Sequence, residues 1–92
     1  MFISVVIPAY LERENLGDLT KRLLAVLGGL GFNFEVLYVI EGSDGSREFL
    51  DNLNDSRVRY IFNPKRLGIA KSLLLGFSRV LPRTDLILTM DA

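Results

Sequence analysis

Aromatic and acidic side chains stand at or just after three apolar runs of the chain, where they could bind a nucleotide. Tyr10 and Glu12 follow the first run, Glu41 ends the second, and Asp91 follows the last. The ring of Tyr10 offers a flat face to a base, and the Glu12 carboxylate can accept hydrogen bonds from base or ribose donors. Asp91 supplies the oxygen ligands that Mg²⁺ or Mn²⁺ prefers. The alternative for each segment is an ordinary strand end or helix cap.

Two neighbouring cations could add phosphate binding. Lys65 and Arg66 lie in loop 63–68, directly before a predicted helix. The free N–H groups at a helix start and the two positive charges could together meet a diphosphate. A solvated positive patch is the alternative. Lys71 lies inside the helix and is assigned no role.

The spacing of apolar residues predicts the elements that must position these side chains. Nearly continuous apolar, β-branched runs predict strands buried on both faces, and leucines at spacings of three and four predict helices. Pro8 is expected to end the first strand, because proline cannot donate to a ladder. The predicted strands are 2–7, 34–40, 58–62 and 86–90; the predicted helices are 12–30, a short one after a cap at 43–44, and 69–80.

This βαβαβαβ order predicts an α/β fold, a three-layer sandwich over one domain at 1–92. Right-handed crossovers give a parallel sheet with helices on both faces, for which we expect the strand order 3-2-1-4. Ligands of such sheets bind beyond the carboxyl ends of the strands, near the point where strand order reverses. The loops expected to meet there are 8–14, 41–46, 63–68 and 91–92.

Composition excludes several functional classes. Eleven basic and eleven acidic residues cancel, so no long-range field favours nucleic acid or an anionic membrane surface. The absence of Cys and His removes disulfides, thiol chemistry and the commonest general base. No apolar run approaches the roughly 18 residues of a membrane span, and no signal peptide is recognisable. We therefore expect a cytoplasmic location.

Several segments together resemble the inverting GT-A glycosyltransferases that include the dolichyl-phosphate mannose synthases, of glycosyltransferase family 2. Residues 8–12, Pro-Ala-Tyr-Leu-Glu, are similar to that family's Pro-x-Tyr-Asn-Glu. Residues 39–46 resemble its Val-Asp-Asp-Gly-Ser-x-Asp-Gly-Thr, and 91–92 resemble the start of its Asp-Ala-Asp. Loop 63–68 is similar to the basic loop that opens the family's third helix. The resemblance is to the amino-terminal, nucleotide-binding part of such a domain.

The resemblance implies a truncated GT-A fold that binds a nucleotide-diphosphate sugar, with UDP or GDP as nucleotide. The transfer would be inverting, to an acceptor such as polyprenyl phosphate, and a membrane would be involved only through that lipid-linked acceptor. The general base belongs to the family's later half, so the chain alone is expected to be inactive. The implied contacts are Pro8, Tyr10, Glu12, Val39, Glu41, Asp91 and Ala92 for the nucleotide sugar, Lys65 and Arg66 for the diphosphate, and Asp91 for a weakly held Mg²⁺ or Mn²⁺.

The sequence also departs from the family's motifs. Leu11 replaces an Asn, Ile40 and Glu41 replace two Asp residues, and the loop that follows is one residue shorter. The second Asp of the Asp-x-Asp motif is missing. A second hypothesis is therefore a non-catalytic truncated paralogue that acts as a binding or oligomerisation module. The edge strand at 86–90 is predicted to pair with a second copy, giving a homodimer or a larger oligomer.

Overall fold

The computed structural model describes residues 1–92 and confirms the predicted order of elements. The strands and helices alternate along the whole chain, and each predicted element is present within a few residues of its expected bounds. The elements are β1 (Phe2–Tyr10), α1 (Arg13–Gly29), β2 (Asn33–Glu41), α2 (Ser46–Asp51), β3 (Val58–Asn63), α3 (Ile69–Arg79) and β4 (Leu86–Thr89).

All four strands form one parallel sheet in the predicted order β3-β2-β1-β4. β1 pairs with β2 along its full length, whereas β4 pairs only with Ile3 to Val6 of β1. The carboxyl ends of β1, β2 and β4 therefore lie at one edge, where the sequence analysis placed the ligand. None of the three helices has the length and apolar character needed to cross a membrane.

β1 continues past Pro8 to Tyr10, so the prediction that proline ends this strand was wrong. The carbonyl of Val6 accepts the N–H of Met90 at 3.4 Å and thus points towards β4. In a parallel ladder, residues two apart point the same way, so Pro8 also faces the β4 side. The pairing of β4 with β1 has already stopped there, and no ladder bond is lost at the residue that lacks an N–H.

The two faces of the sheet differ in polarity. The face covered by α1 and α2 is apolar: Val5, Ile7, Val36 and Tyr38 belong to one buried cluster with helix leucines such as Leu16. The face covered by α3 also carries the buried polar residues Ser4, Glu35 and Glu41, of which Glu41 meets Ser72 of α3. The central strands β1 and β2 are thus buried on both faces, as predicted, whereas β3 is half-buried and β4 is exposed, so the same prediction was wrong for these two outer strands.

The fully buried residues of α3 are small, whereas its leucines are half-buried or exposed. The apolar spacing predicted the helix correctly, but Ile69 and Leu74 are 63% and 66% exposed, whereas Ser72 and Gly76 are buried. A β-carbon at Gly76 would collide with Val6 and lie 3.2 Å from Val39. The close approach of α3 to β1 and β2 therefore depends on the absence of a side chain at residue 76.

A buried ion pair ties the amino-terminal half of the sheet to the chain that follows α3. Glu35 accepts hydrogen bonds from the Ser4 hydroxyl at 2.7 Å and the Leu81 N–H at 2.9 Å. Arg59 of β3 adds a salt bridge of 2.6 Å. Burial alone raises the pKa of Glu35, but these hydrogen bonds and the Arg59 charge outweigh it and hold the pKa below the usual 4.5.

Candidate functional site

A cleft of about 240 Å³ opens at the carboxyl edge of the sheet, between the ends of β1 and β4 and the start of α3. It joins all four loops that the sequence analysis expected to meet. Of the predicted contact residues, only Val39 and Lys65 do not line it. The lining residues are Pro8, Ala9, Tyr10, Glu12, Glu41, Arg66, Gly68, Ile69, Asp91 and Ala92.

The most distinctive contact of the cleft is between a cation and an aromatic ring. The guanidinium of Arg66 lies 4.5 Å from the centroid of the Tyr10 ring, and the Tyr10 side chain is 41% exposed. A guanidinium over an aromatic face forms a favourable cation–π contact and presents a second flat surface. Lys65 lies outside the cleft, where its N–H donates to the Asn63 side chain at 3.0 Å.

The two predicted residues of β2 are both buried. Glu41 is 3% exposed, and its carboxylate accepts the Leu67 N–H at 2.9 Å and the hydroxyl of Ser72. Val39 is fully buried and pairs in the sheet with Pro8 and Ile61. The direct contacts of Glu41 and Val39 with a nucleoside stay predictions, and Leu67 and Ser72 were not foreseen from the sequence.

Glu12 and Asp44 fix the loop that follows β1. Glu12 lies at the start of α1, and its carboxylate accepts a hydrogen bond from the Asn15 amide at 2.7 Å. Asp44 accepts the N–H of Arg13 and the N–H of Ser46, each at 3.0 Å. Burial alone raises the pKa of Asp44, but its hydrogen bonds with Ser46 and Arg13 outweigh burial and lower that pKa below 3.8. Asp44 therefore supports the first turns of α1 and α2 together.

Leu11 adopts a left-handed backbone conformation, with φ of 54°. Asn tolerates this region better than Leu does, so Leu11 is strained at the position where the resembling motif has Asn. The Leu11 side chain is 51% exposed and lies against Gly42 of the next loop. The strain at Leu11 is therefore offset by little packing.

Replacing Leu11 with Asn is expected to raise the free energy of unfolding by about 0.5–1 kcal/mol, because left-handed strain is relieved. Urea unfolding would measure the change. Asn54 has almost the same conformation, with φ of 55°, so Asn54→Leu serves as the reciprocal control and should destabilise by a similar amount. A Leu11→Asn chain no more stable than the wild type would show that packing on Gly42 outweighs the strain.

The donor set for a divalent cation is small. No group of three or more His, Cys, Asp or Glu side chains in the chain could hold a metal ion. Asp91 is an exposed carboxylate at the cleft, whereas the Glu41 carboxylate is engaged by Leu67 and Ser72. These residues fit an ion that takes most of its ligands from a bound diphosphate and water, and they do not form a protein-only site.

A larger groove of about 730 Å³ lies at the opposite, amino-terminal edge of the sheet. Arg57 and Arg83 line it, each with its guanidinium near a phenylalanine ring. None of the predicted contact residues lies there. Size alone therefore does not identify the functional site, and the chemistry favours the smaller cleft.

Comparisons with known proteins identify the family of this chain. The family described as glycosyl transferase family 2 matches residues 4–92. An undecaprenyl-phosphate 4-deoxy-4-formamido-L-arabinose transferase of Edwardsiella ictaluri is 35% identical, over 99% of this chain and 29% of its own length. The transferases of that name from Salmonella paratyphi A and Shewanella sediminis are 37% and 35% identical, over 98% and 99% of this chain and 28% of their own length.

The chain thus spans less than a third of the length of these curated relatives. The matched residues include all of β2, β3 and β4, most of β1, and the whole cleft. The parallel sheet in the order 3-2-1-4 is consistent with a truncated GT-A fold. On the evidence of its fold, its relatives and a family match over nearly all of its length, the chain belongs to glycosyl transferase family 2.

Proposed function

We propose that this chain binds the nucleotide-diphosphate sugar, with UDP or GDP as nucleotide, of a transferase whose acceptor is a polyprenyl phosphate. The observation that carries the proposal is the Arg66 guanidinium stacked on Tyr10 within the carboxyl-edge cleft. The relatives' names specify undecaprenyl phosphate and an arabinose-type sugar. Because the chain covers only part of those proteins, the acceptor and the transfer itself are proposals for this chain.

Different residues of the cleft suit different parts of a nucleotide-diphosphate sugar. The flat surface of Tyr10 and Arg66 suits a base, and the guanidinium charge also suits the diphosphate. The first N–H groups of α3 have no partner within the helix and add positive potential beside Gly68. Glu12 supplies a carboxylate for ribose hydroxyls. Lys65, just outside the cleft, would add only long-range attraction for phosphate.

Asp91 is the residue that would hold Mg²⁺ or Mn²⁺, together with diphosphate oxygens. Such an ion would neutralise charge on the leaving diphosphate when bound. Because Asp91 is the only cleft carboxylate without a hydrogen-bond partner from the chain, and one carboxylate holds an ion weakly, we expect metal binding to require the nucleotide. Ala92, beside Asp91, contributes backbone and a small side chain to the cleft wall.

The alternative of a non-catalytic paralogue is not favoured by the comparisons, since the curated relatives are named as transferases. We assign no general base within the chain and expect the 92-residue chain alone not to transfer sugar. Transfer by the purified chain without another polypeptide would contradict this expectation. A cytoplasmic location also stays a prediction.

We also propose that β4 pairs with a second copy. β4 has a neighbour only on its β1 side, and all four of its residues are exposed. An open, uncharged apolar edge favours strand pairing between molecules. Sedimentation over a range of concentrations should show a dimer or larger oligomer, and a monomer at every concentration would contradict the proposal.

Calorimetric titration of the purified chain tests the main proposal. We expect one of UDP, GDP or their common sugar conjugates to bind saturably, and more tightly with Mn²⁺. Tyr10→Ala and Arg66→Ala should each weaken that binding by about tenfold, because stacking on a base contributes about 1–3 kcal/mol. Arg22→Ala is the matched control, since Arg22 lies exposed on α1 and pairs with Asp18.

Absence of binding by a folded sample would contradict the proposal. Binding that Tyr10→Ala and Arg66→Ala leave unchanged would place the nucleotide elsewhere than the carboxyl-edge cleft.

A further inference from the structure

The carboxylate of Glu41 joins two parts of the cleft wall. Glu41 is the last residue of β2, and one of its oxygens accepts the Leu67 N–H at 2.9 Å. The other oxygen accepts the hydroxyl of Ser72, which is fully buried in α3. The end of β2 is thereby fastened to loop 63–68 and to the beginning of α3 at once.

This fastening fixes the backbone next to Arg66. The N–H of Leu67 belongs to the peptide bond between Arg66 and Leu67, and that bond is planar. Its hydrogen bond to Glu41 therefore fixes the peptide plane that contains the Cα of Arg66 and restricts the backbone from which the Arg66 side chain extends. Gly68, with φ of 87° and ψ of 161°, completes the turn into α3 in a region that is essentially restricted to glycine.

The other end of the loop is held as well. The carbonyl of Asn63 accepts the N–H of Gly42 at 3.1 Å, and its side chain accepts the Lys65 N–H at 3.0 Å. Between these two attachments, Arg66 is exposed and places its guanidinium 4.5 Å from the Tyr10 ring centroid. The loop thus presents the Arg66 guanidinium to the cleft from a backbone that is held on both sides.

We propose that Glu41 is a positioning residue, anchored by Ser72, and that the pair holds Arg66 over Tyr10 to receive a nucleobase. The inference rests on the proposed function of the cleft and gives Glu41 a supporting role beside the direct contact that the sequence predicts. Both Glu41 oxygens already have a partner from the chain, and Ser72 is too deeply buried to touch a ligand. Ser72 belongs to none of the motifs that the sequence analysis singled out.

Nuclear magnetic resonance of the free chain gives the first test. In the wild type, the ring current of Tyr10 should shift the Arg66 δ-methylene protons upfield. Ser72→Ala should reduce that shift by about half or more and speed exchange of the Leu67 amide about tenfold, because Glu41 loses its anchor. Ser78→Ala is the control, since the Ser78 hydroxyl donates only to Leu75 within α3. Unchanged Arg66 and Leu67 signals in a folded Ser72→Ala chain would overturn the proposal.

A double-mutant cycle on nucleotide affinity gives the second test. With UDP or GDP as probe, Ser72→Ala should weaken binding about fivefold when Arg66 is present and less than about twofold in the Arg66→Ala background. Equal effects in both backgrounds would mean that Ser72 does not act through Arg66 and would overturn the proposal. If the wild type binds neither nucleotide, the proposed function fails, whereas the resonance measurements still decide whether Glu41 and Ser72 position Arg66.

Discussion

Replacing Glu35 with alanine is expected to lower the free energy of unfolding by about 2–3 kcal/mol, because several buried groups lose their partner. The Leu81 N–H and the Arg59 guanidinium would lose their carboxylate acceptor, and Ser4 would lose one of two hydrogen bonds. Arg59 is 37% exposed and can regain water, which keeps the expected loss below the roughly 3–5 kcal/mol of a broken, fully buried ion pair.

Urea unfolding at neutral pH measures this loss. Asp18→Ala is the matched control, because Asp18 pairs with Arg22 at 3.1 Å while both side chains are more than half exposed. Its expected effect is below about 0.5 kcal/mol. Equal losses for Glu35→Ala and Asp18→Ala would show that the buried pair contributes no more than a surface pair.

The contribution of Glu35 should also depend on pH. Its pKa in the folded chain is held below the usual 4.5, so the carboxylate adds stability above that value. The contribution is lost as pH falls through the lowered folded pKa. The stability difference between the wild type and Glu35→Gln should therefore be largest near neutral pH and shrink in acid. A difference that is constant from pH 7 to about pH 3 would contradict the lowered pKa.

Gly76→Ala is expected to have a similarly large effect, with a loss of about 1–3 kcal/mol of unfolding free energy. Alanine favours a helix over glycine by about 0.5–1 kcal/mol, but its methyl group would collide with Val6 beneath α3. Val6 is fully buried between the strands and the helix and cannot move aside freely. The helix would have to lift away from β1 and β2.

Gly17→Ala provides the matched control in another helix. Gly17 lies inside α1, and a β-carbon there would meet the Phe49 ring at 3.6 Å, an ordinary contact distance. This substitution should stabilise the chain by up to about 1 kcal/mol, so the two alanines should act in opposite directions. Thermal unfolding of both variants measures the difference. A Gly76→Ala chain as stable as Gly17→Ala would mean that α3 does not pack as closely as the structure shows.

The sequence was sufficient for the order of elements because apolar spacing changes from continuous runs to periods of three and four. The sequence was not sufficient to predict which residues individual side chains contact. The sequence pattern predicts that Pro8 ends the first strand, whereas β1 continues because Pro8 faces the β4 side, where the pairing with β4 has already stopped. Where β4 stops pairing with β1 is a property of the assembled sheet, and the local sequence around Pro8 does not contain it.

For the candidate site as well, the sequence predicted the location but not all of the side-chain contacts. The carboxyl-edge cleft, Tyr10, Glu12 and Asp91 came from motifs and parallel topology, and the structure brings these residues together. The hydrogen bond between Ser72 and Glu41 was not predictable. Leucines dominate the apolar pattern of α3, and Ser72 lies outside every motif. Two serine-sized or smaller residues, Ser72 and Gly76, spaced four apart on α3, were the available signal for the face that meets the sheet.

The hydrogen bonds of Asp44 have a consequence for the energetics of ligand capture. One carboxylate holds the starts of α1 and α2, so the loops after β1 and β2 are ordered together before any ligand arrives. When a ligand binds to both loops, the protein chain then loses little additional conformational entropy, because most of the ordering of these loops accompanies folding. Asp44 therefore couples the folding of the chain to the preorganisation of its cleft.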